Sequence, residues 1–140
     1  MKKLLGILLV ALMMLSVTAC GGEVQTNEEL HSIAFVEGKE VVVNETEYVA
    51  VFCTYTNNSG QTALPCEAFD VKAFQNGIEL TIIVYTGQRT EDAIQCDTSV
   101  QTGTTTEVVW LFEKQDDSKV SVEISNGEKY EFELAGISED

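Results

Sequence analysis

The dipeptide Asn76-Gly77, which lies between two alternating apolar segments, constrains the fold of this chain more than any other feature. Asn-Gly readily adopts the two left-handed conformations of a type I′ turn, and that turn joins two antiparallel strands directly. A two-residue loop fixes the register and pairs Gln75 with Ile78, Ala73 with Leu80, Val71 with Ile82 and Phe69 with Val84. Because the inward partners are apolar, one face of the hairpin should be buried. We predict strands over Glu67–Gln75 and Ile78–Tyr85.

A second Asn-Gly pair, Asn126-Gly127, requires a different loop. A two-residue loop would place charged residues of the second strand on the apolar face of the first. A three-residue loop, with Gly127 left-handed in a G1 bulge, instead pairs Val122 with Tyr130 and Val120 with Phe132. We therefore predict the bulged hairpin.

Other segments have the alternation or the β-branched content of strands, and none carries a helical stripe. They are Ile33–Val36, Glu40–Val43, Tyr48–Thr56, Thr105–Phe112 and Lys119–Ile124. Short strands at this spacing predict an all-β fold, an antiparallel β-sandwich of seven to eight strands. We expect its core to contain Val51, Cys53, Val71, Ile82, Trp110, Val122 and Phe132.

The first 20 residues indicate where the chain is sent. Lys2-Lys3, the apolar run Leu4–Leu15 and small residues before Cys20 have the order of a secretory signal. Val17–Cys20 resembles the lipobox of bacterial lipoproteins, in which the cysteine is acylated and becomes the mature N-terminus. A membrane-spanning helix is the weaker interpretation, because about 12 apolar residues are too few to cross ~30 Å of hydrocarbon. We predict a signal peptide over 1–19, a tether over 20–31 that is lipidated at Cys20, and one domain over 32–140.

The balance of charge limits the partners of this chain. It has 23 acidic and 8 basic residues, a net charge of −15. Removal of residues 1–19 would take two basic residues and no acidic one. Nucleic acid and anionic lipid both need a basic face. We therefore exclude nucleic acid as a partner and expect contact with the membrane through the N-terminal lipid.

Three cysteines follow Cys20, and an odd number leaves one thiol unpaired in an oxidising compartment. Cys53 lies on the apolar face of the Tyr48–Thr56 strand, where a small sulfur packs as a core hydrophobe. Cys66 and Cys96 lie at the start of a strand and in a long polar loop. We predict a Cys66–Cys96 disulfide, which stabilises by roughly 3–4 kcal/mol through loop closure, with Cys53 buried and reduced.

The sequence contains no recognisable catalytic arrangement. Nucleophilic catalysis needs a base beside its nucleophile, and the single histidine, His31, lies at the end of the tether. The cysteines are too scattered for a zinc site, and there is no glycine-rich phosphate loop. We therefore predict a protein that is not an enzyme and that needs no cofactor or metal.

The segment Thr86–Gly103 is the best candidate for function, because about 18 residues without a strand pattern are unusual in a compact domain. Its charged residues form the candidate binding loop: Arg89, Glu91, Asp92 and Asp97. A calcium site would need several oxygens that converge on one point, and the spacing matches no EF-hand. We interpret the segment as a solvated acidic loop, with calcium binding as the alternative.

Three segments carry a resemblance to a known family: Tyr55–Ser59 at the end of one strand, Phe69–Leu80, and a later strand that begins at Gly103. Together they resemble an immunoglobulin-like domain of unknown function that recurs in lipoproteins of Gram-positive bacteria. The resemblance covers about residues 45–125. It implies an immunoglobulin-like sandwich at the cell surface and no catalytic residues.

These observations favour a lipoprotein that is anchored on the extracytoplasmic face of the cell membrane. We expect a non-catalytic binding or adhesion module for an unknown protein or glycan ligand. A structural or envelope-accessory lipoprotein is one alternative. A carboxylate-dependent hydrolase is a more distant one, and it would need two carboxyl groups about 5–10 Å apart in a cleft.

Overall fold

Ten strands and one short helix make up residues 30–134, the part of the chain that the computed structural model describes. The strands are β1 (His31–Val43), β2 (Thr46–Asn57), β3 (Val71–Gln75), β4 (Ile78–Glu79), β5 (Ile82–Ile83), β6 (Arg89–Thr90), β7 (Ala93–Gln95), β8 (Thr104–Glu113), β9 (Val120–Ile124) and β10 (Lys129–Phe132), and helix α1 is Pro65–Ala68. The predictions for Cys20, the signal peptide and nearly all of the tether lie outside these residues. No helix within residues 30–134 is long and apolar enough to cross a membrane.

Two sheets pack face to face, which confirms the predicted all-β sandwich. The six-stranded sheet has the order β1-β2-β8-β7-β6, with β5 also paired to β8, and the four-stranded sheet has the order β10-β9-β3-β4. All pairs are antiparallel except β7 with β8. There are more strands than the predicted seven to eight because β4, β5 and β6 are only two residues long.

The main core lies between the two sheets. Its buried members include five of the seven residues that the sequence predicts: Val51, Cys53, Val71, Trp110 and Val122. Phe132 is partly buried against this cluster. Ile82 is 45% exposed, so its predicted place in the core is wrong.

The hairpin at Asn76-Gly77 forms as predicted only near its turn. Gln75 pairs with Ile78, and the Leu80 N–H donates to the Ala73 carbonyl at 2.8 Å. Beyond Leu80 the chain leaves the four-stranded sheet and crosses to the other one, where β5 pairs with β8. The predicted pairs Val71–Ile82 and Phe69–Val84 are therefore wrong. On its other side, β3 pairs with β9 instead.

The second hairpin forms as predicted along its whole length. Val122 pairs with Tyr130 and Val120 with Phe132, and Gly127 has a φ of 95°. The two-residue alternative would have moved every side chain of β10 to the other face of the sheet. The bulge therefore keeps Tyr130 and Phe132 against the main core.

Strand β1 packs apolar side chains on both faces of its sheet. A bulge between Phe35 and Glu37 reverses which alternate residues point to each face. The sequence instead suggests two runs separated by Gly38. Before the bulge, Ile33 and Phe35 pack against the main core. After it, Val41 and Val43 pack on the opposite face of the sheet.

Gly38 lies in the middle of β1 for a steric reason. The Phe132 ring approaches to 2.0 Å from the position that a Cβ would occupy at Gly38. Any side chain there would displace the ring. Phe35 and Tyr130 stack nearby with their ring centroids 4.3 Å apart, so aromatic rings of β10 close this side of the sandwich against β1.

A second core covers the outer face of the six-stranded sheet, opposite the main core. Its buried residues are Tyr48, Ala50, Phe52, Ala93, Val109 and Leu111, and Val41, Val43, Ile83 and Tyr85 pack around them. The sheet curls over this core, since Lys39 on one edge strand lies 2.9 Å from Glu91 beside the other. The central strands β2, β7 and β8 are therefore buried on both faces.

Two predicted segments have a different local structure. Residues 86–103 contain the short hairpin of β6 and β7, so this segment is not a structureless loop. All three residues of β7 are buried, and they therefore show no polar alternation in the sequence. The predicted strand over Glu67–Gln75 begins only at Val71, because Pro65 opens helix α1, where its missing N–H costs no helical hydrogen bond.

Candidate functional site

A groove lies where the two edges of the curled sheet approach each other. Its volume is about 480 Å³, which is within the range of ~300–1,000 Å³ of ligand pockets. Residues 39–44 of β1 and its turn form one wall, and residues 89–91 of β6 and its turn form the other. We call this the edge groove, because both walls are edge strands of the same sheet.

Two tight turns position the walls of the edge groove. Asn44 and Glu45 connect β1 to β2, and both have positive φ angles, 50° and 68°. Two successive left-handed residues match a type I′ turn, whose twist suits a two-stranded ribbon. Glu91 also has a positive φ, 55°, in the turn between β6 and β7. The groove therefore ends in backbone conformations that most side chains disfavour.

Lys39 connects the two walls through its ammonium group. Its Nζ lies 2.9 Å from a Glu91 carboxylate oxygen and 3.1 Å from one of Glu37. The hydrogen bond to Glu91, and then that to Glu37, raises the pKa of Lys39. The same ammonium lies 5.1 Å from the centre of the Phe52 ring, so the cation also covers the second core.

Three of the four predicted binding-loop residues lie together at this site, and one does not. The Arg89 guanidinium donates to the Asp92 carbonyl at 2.8 Å, and Glu91 pairs with Lys39. Asp97 lies beyond β7, where it accepts a hydrogen bond from the Thr86 hydroxyl at 2.6 Å. The acidic residues of this segment are therefore spread over two places.

The sequence-based prediction of the binding loop does not include the β1 wall of the groove. Lys39, Val41 and Val43 are about 50 residues away from the β6–β7 hairpin in the chain. Only the curl of the sheet brings them to it, and no local pattern in the sequence encodes that curl. The one sequence signal for the curl was the pair of consecutive apolar runs in β2 and β8. Such runs indicate strands that are buried on both faces.

The most compact group of carboxylates surrounds Lys114. Its Nζ lies 2.6 Å from Asp117, 2.5 Å from Glu40 and 3.1 Å from Glu47. Hydrogen bonds to Asp117 and then to Glu40 raise the pKa of Lys114. Because one lysine pairs with all three carboxylates, this is an ion-paired cluster rather than an open acid–base site. Among residues 30–134, no group of three or more His, Cys, Asp or Glu side chains could hold a metal ion.

His31 is part of the sandwich rather than of the tether. It opens β1, and its Nδ1 lies 2.8 Å from the Tyr55 hydroxyl. The two rings are stacked with their centroids 5.9 Å apart. These contacts give the imidazole a packing role at the start of the domain.

The three cysteines of the described region are free thiols, so the predicted disulfide is not formed in this structure. Cys53 is fully buried in the main core, as predicted. Cys66 and Cys96 lie side by side: the Cys66 N–H donates to the Cys96 carbonyl at 3.0 Å, and each thiol is near enough to shift the pKa of the other. Cys66 lies in α1, not at the start of a strand.

Comparison with known proteins places the chain in a family and supports its fold. A solved structure described as a "putative lipoprotein from Staphylococcus aureus subsp. aureus NCTC 8325" aligns with a TM-score of 0.55 over 74% of this chain and 83% of the other. Its sequence identity is 10%, so this similarity concerns the fold alone. No curated protein sequence matches this chain.

The family match covers most of the sandwich. It extends over residues 25–126, from before β1 to the turn that follows β9. The immunoglobulin-like type that the sequence resemblance implies stays a prediction. The chain belongs to the family described as "Domain of unknown function (DUF5067)".

Proposed function

We propose that this protein is a lipid-anchored, non-catalytic binding module on the extracytoplasmic face of the membrane, and that an extended peptide segment of a partner protein binds in its edge groove. The anchor is the predicted lipidation at Cys20. The observation that carries the proposal is the groove itself, because among residues 30–134 the strand on each side of it, β1 or β6, pairs with only one other strand.

Unpaired strand edges are suited to extended peptides. An edge strand carries backbone N–H and C=O groups without partners in its own sheet, and a peptide can add to it as a further strand. In the edge groove this applies to β1 on one side and to β6 on the other. An extended segment between them could hydrogen-bond to either wall.

Charge favours a basic peptide as the occupant. The whole chain has a net charge of −15. The lining of the groove is balanced in charge, with Lys39 and Arg89 against Glu40 and Glu91. The excess of acid lies at its rim, where Glu91 is half exposed and Glu45 and Asp92 are exposed. Complementary charges steer association and discriminate between partners. Lysine or arginine side chains of the peptide would pair with these carboxylates, and at Glu91 they would replace Lys39.

Binding can be tested with a synthetic probe. The probe is an acetylated peptide of alternating lysine and valine, titrated into the isotope-labelled, processed protein in lipid nanodiscs. We expect amide chemical shifts to change in residues 39–44 and 89–91. A peptide with N-methylated backbone nitrogens should not bind, because strand addition needs its N–H donors. Equal binding of both peptides would contradict the proposal.

A matched pair of variants separates groove binding from general attraction to an acidic protein. Glu91→Lys reverses a charge at the groove, and Glu123→Lys reverses a similarly exposed charge on the four-stranded sheet. We expect Glu91→Lys to weaken binding of the probe at least tenfold and Glu123→Lys to leave it nearly unchanged. Equal weakening by both variants would show that the peptide binds the acidic surface in general.

Anchoring has a separate test. Replacement of Cys20 by Ala should release the protein from the membrane fraction or block its processing, because the acylated sulfur is lost. Membrane-bound Cys20→Ala protein of mature size would contradict the lipid anchor. It would leave the groove proposal unaffected.

A further inference from the structure

We propose that Cys66 and Cys96 are a disulfide-forming pair that closes when the protein meets a disulfide oxidant outside the cytoplasm, while Cys53 stays a thiol. The structure holds the reduced form of this pair. The proposal is independent of what the edge groove binds.

The two segments that carry the cysteines are already fastened together. Ala63 and Val100 exchange two backbone hydrogen bonds, of 3.0 and 2.8 Å. The Asn57 side chain donates to the Val100 carbonyl at 2.9 Å. The Cys66 N–H bonds to the Cys96 carbonyl at 3.0 Å. With the backbones held in this way, the sulfurs can bond without a rearrangement of the fold.

Cys53 is excluded as a partner of Cys96 by the order of the strands. Cys53 lies on β2, which is separated from β7 by the whole of β8. Two interstrand spacings of about 4.8 Å place β2 and β7 nearly 10 Å apart. A disulfide needs Cα atoms within about 7 Å of each other, so a Cys53–Cys96 bond would require the sheet to open.

The two thiols differ in access, and this difference sets the order of the reaction. Cys66 is partly exposed, whereas Cys96 is 1% exposed. Burial raises the pKa of both thiols, that of Cys96 to about 12, but at Cys66 the neighbouring Cys96 thiol offsets part of the rise in pKa. Cys66 is therefore the thiol that an oxidant meets first and the one that ionises more readily.

The reaction balances with a disulfide of the oxidised-glutathione type as the oxidant. The Cys66 thiolate attacks one sulfur of the oxidant, the oxidant's S–S bond breaks, and one thiol leaves. Cys96 then loses its proton and attacks the Cys66 sulfur of this mixed disulfide, which releases the second thiol. The protein loses two electrons and two protons, and the oxidant becomes two thiols.

The bond would constrain a particular part of the molecule. The closed loop runs from Cys66 to Cys96 and contains β3 to β7. It therefore includes the crossing between the two sheets and the β6–β7 wall of the edge groove. Closure restricts the unfolded chain, and we expect a melting temperature about 10 °C higher in the oxidised protein.

The test uses the processed, full-length protein purified from membranes in detergent. It is incubated with oxidised glutathione or with dithiothreitol, alkylated, and digested with chymotrypsin, because cleavage at Tyr55 separates Cys53 from Cys66. We expect a Cys66–Cys96 peptide pair after oxidation, with Cys53 alkylated only after denaturation. Free Cys66 and Cys96 after oxidation, or a bond from Cys53 to either of them, would overturn the proposal.

Variants make the assignment specific. Cys53→Ala should keep the Cys66–Cys96 bond and the rise in melting temperature on oxidation. Cys66→Ser should lose both, and Cys96→Ser should trap glutathione on Cys66. Glutathione trapped at Cys53 in Cys96→Ser, or a rise in melting temperature in Cys66→Ser, would contradict the assignment even if one variant were less stable.

Discussion

Val108 and Val109 are neighbours on β8, both are fully buried, and they belong to different cores. Val108 packs between the two sheets, in a core that strands enclose on both sides. Val109 packs on the opposite face, in a smaller core that the curl of one sheet encloses. The main core is therefore a feature of the sandwich, while the second core depends on how the edges of the six-stranded sheet meet. The edge groove lies where that meeting is incomplete.

A charge in the second core should have the largest effect. Val109→Asp would place a carboxylate among Tyr48, Phe52 and Leu111. Burial of an unpaired charge is among the few changes that cost more than about 4 kcal/mol. We expect the variant to be largely unfolded in pulse proteolysis of the full chain. A stable variant would show that this face of the sheet is open to water and that the second core does not exist.

Matched truncations should then separate the two cores. Val108→Ala and Val109→Ala remove the same two methyl groups from adjacent, fully buried positions. We expect Val108→Ala to lower the free energy of unfolding by about 2–3 kcal/mol and Val109→Ala by about 1.5 kcal/mol. The main core is enclosed on both sides, so it cannot collapse around the cavity that the truncation leaves. The second core borders the groove, so its side chains can move into the space. Denaturant titration measures both, and the reverse order would contradict this comparison.

High pH should weaken the main core first, because both fully buried thiols belong to it. Burial raises the pKa of Cys53 and of Cys96 to about 12. A group with a raised pKa in the folded state contributes its stability fully below its unfolded pKa, near 9, and loses it as the pH rises towards 12. We expect a loss of about 1 kcal/mol per thiol between pH 9 and 10.

Cys53→Ala provides the control for this loss. It should remove one thiol's share of the slope of stability against pH in the reduced protein. In the oxidised protein proposed above, Cys96 carries no proton, so the same variant should remove nearly all of the thiol-dependent slope. An unchanged slope in Cys53→Ala would mean that Cys53 is not a buried thiol.

The smallest expected effect concerns the β1–β2 turn, at the end of a strand that packs against both cores. Glu45 has a φ of 68°, and glycine adopts this conformation without the steric cost of a side chain. We expect Glu45→Gly to stabilise the protein by about 0.5–1 kcal/mol. Glu47→Gly, two residues further along in β2, should be destabilising instead. Thermal melting of the two variants compares them directly.

The sequence predicts the main core well, because the physics that forms it is local. The period of two assigns the residues of β2, β8 and β9 to the two faces of their strands, and Gly127 identifies the turn of the last hairpin. The sequence does not predict the point at which the chain passes from one sheet to the other. Ile82 continues the alternation of the first hairpin, but β8 offers a free edge that is reached only through tertiary structure. The register that the hairpin turn sets and the pairing in the structure agree at Leu80 and differ at Ile82.

The second core and the edge groove are harder to predict for a related reason. Residues 49–53 and 108–112 are unbroken apolar runs, and such runs indicate strands that are buried on both faces. That signal says that something covers the second face but not what covers it. Arg89, Glu91 and Asp92 could be chosen from one unusual segment. Lys39, which meets them across the sheet, could not.

One measurement tests the curled sheet most directly: a zero-length carbodiimide cross-link between the Lys39 amine and the Glu91 carboxylate in the full-length protein. These groups are 2.9 Å apart, so we expect a peptide pair that joins them, absent in Lys39→Arg. In a flat sheet of the same strand order, β1 and β6 would lie about 19 Å apart, beyond the reach of the two side chains. Cross-linking of Lys39 to Glu37 but not to Glu91 would contradict the curled sheet, the second core and the groove together.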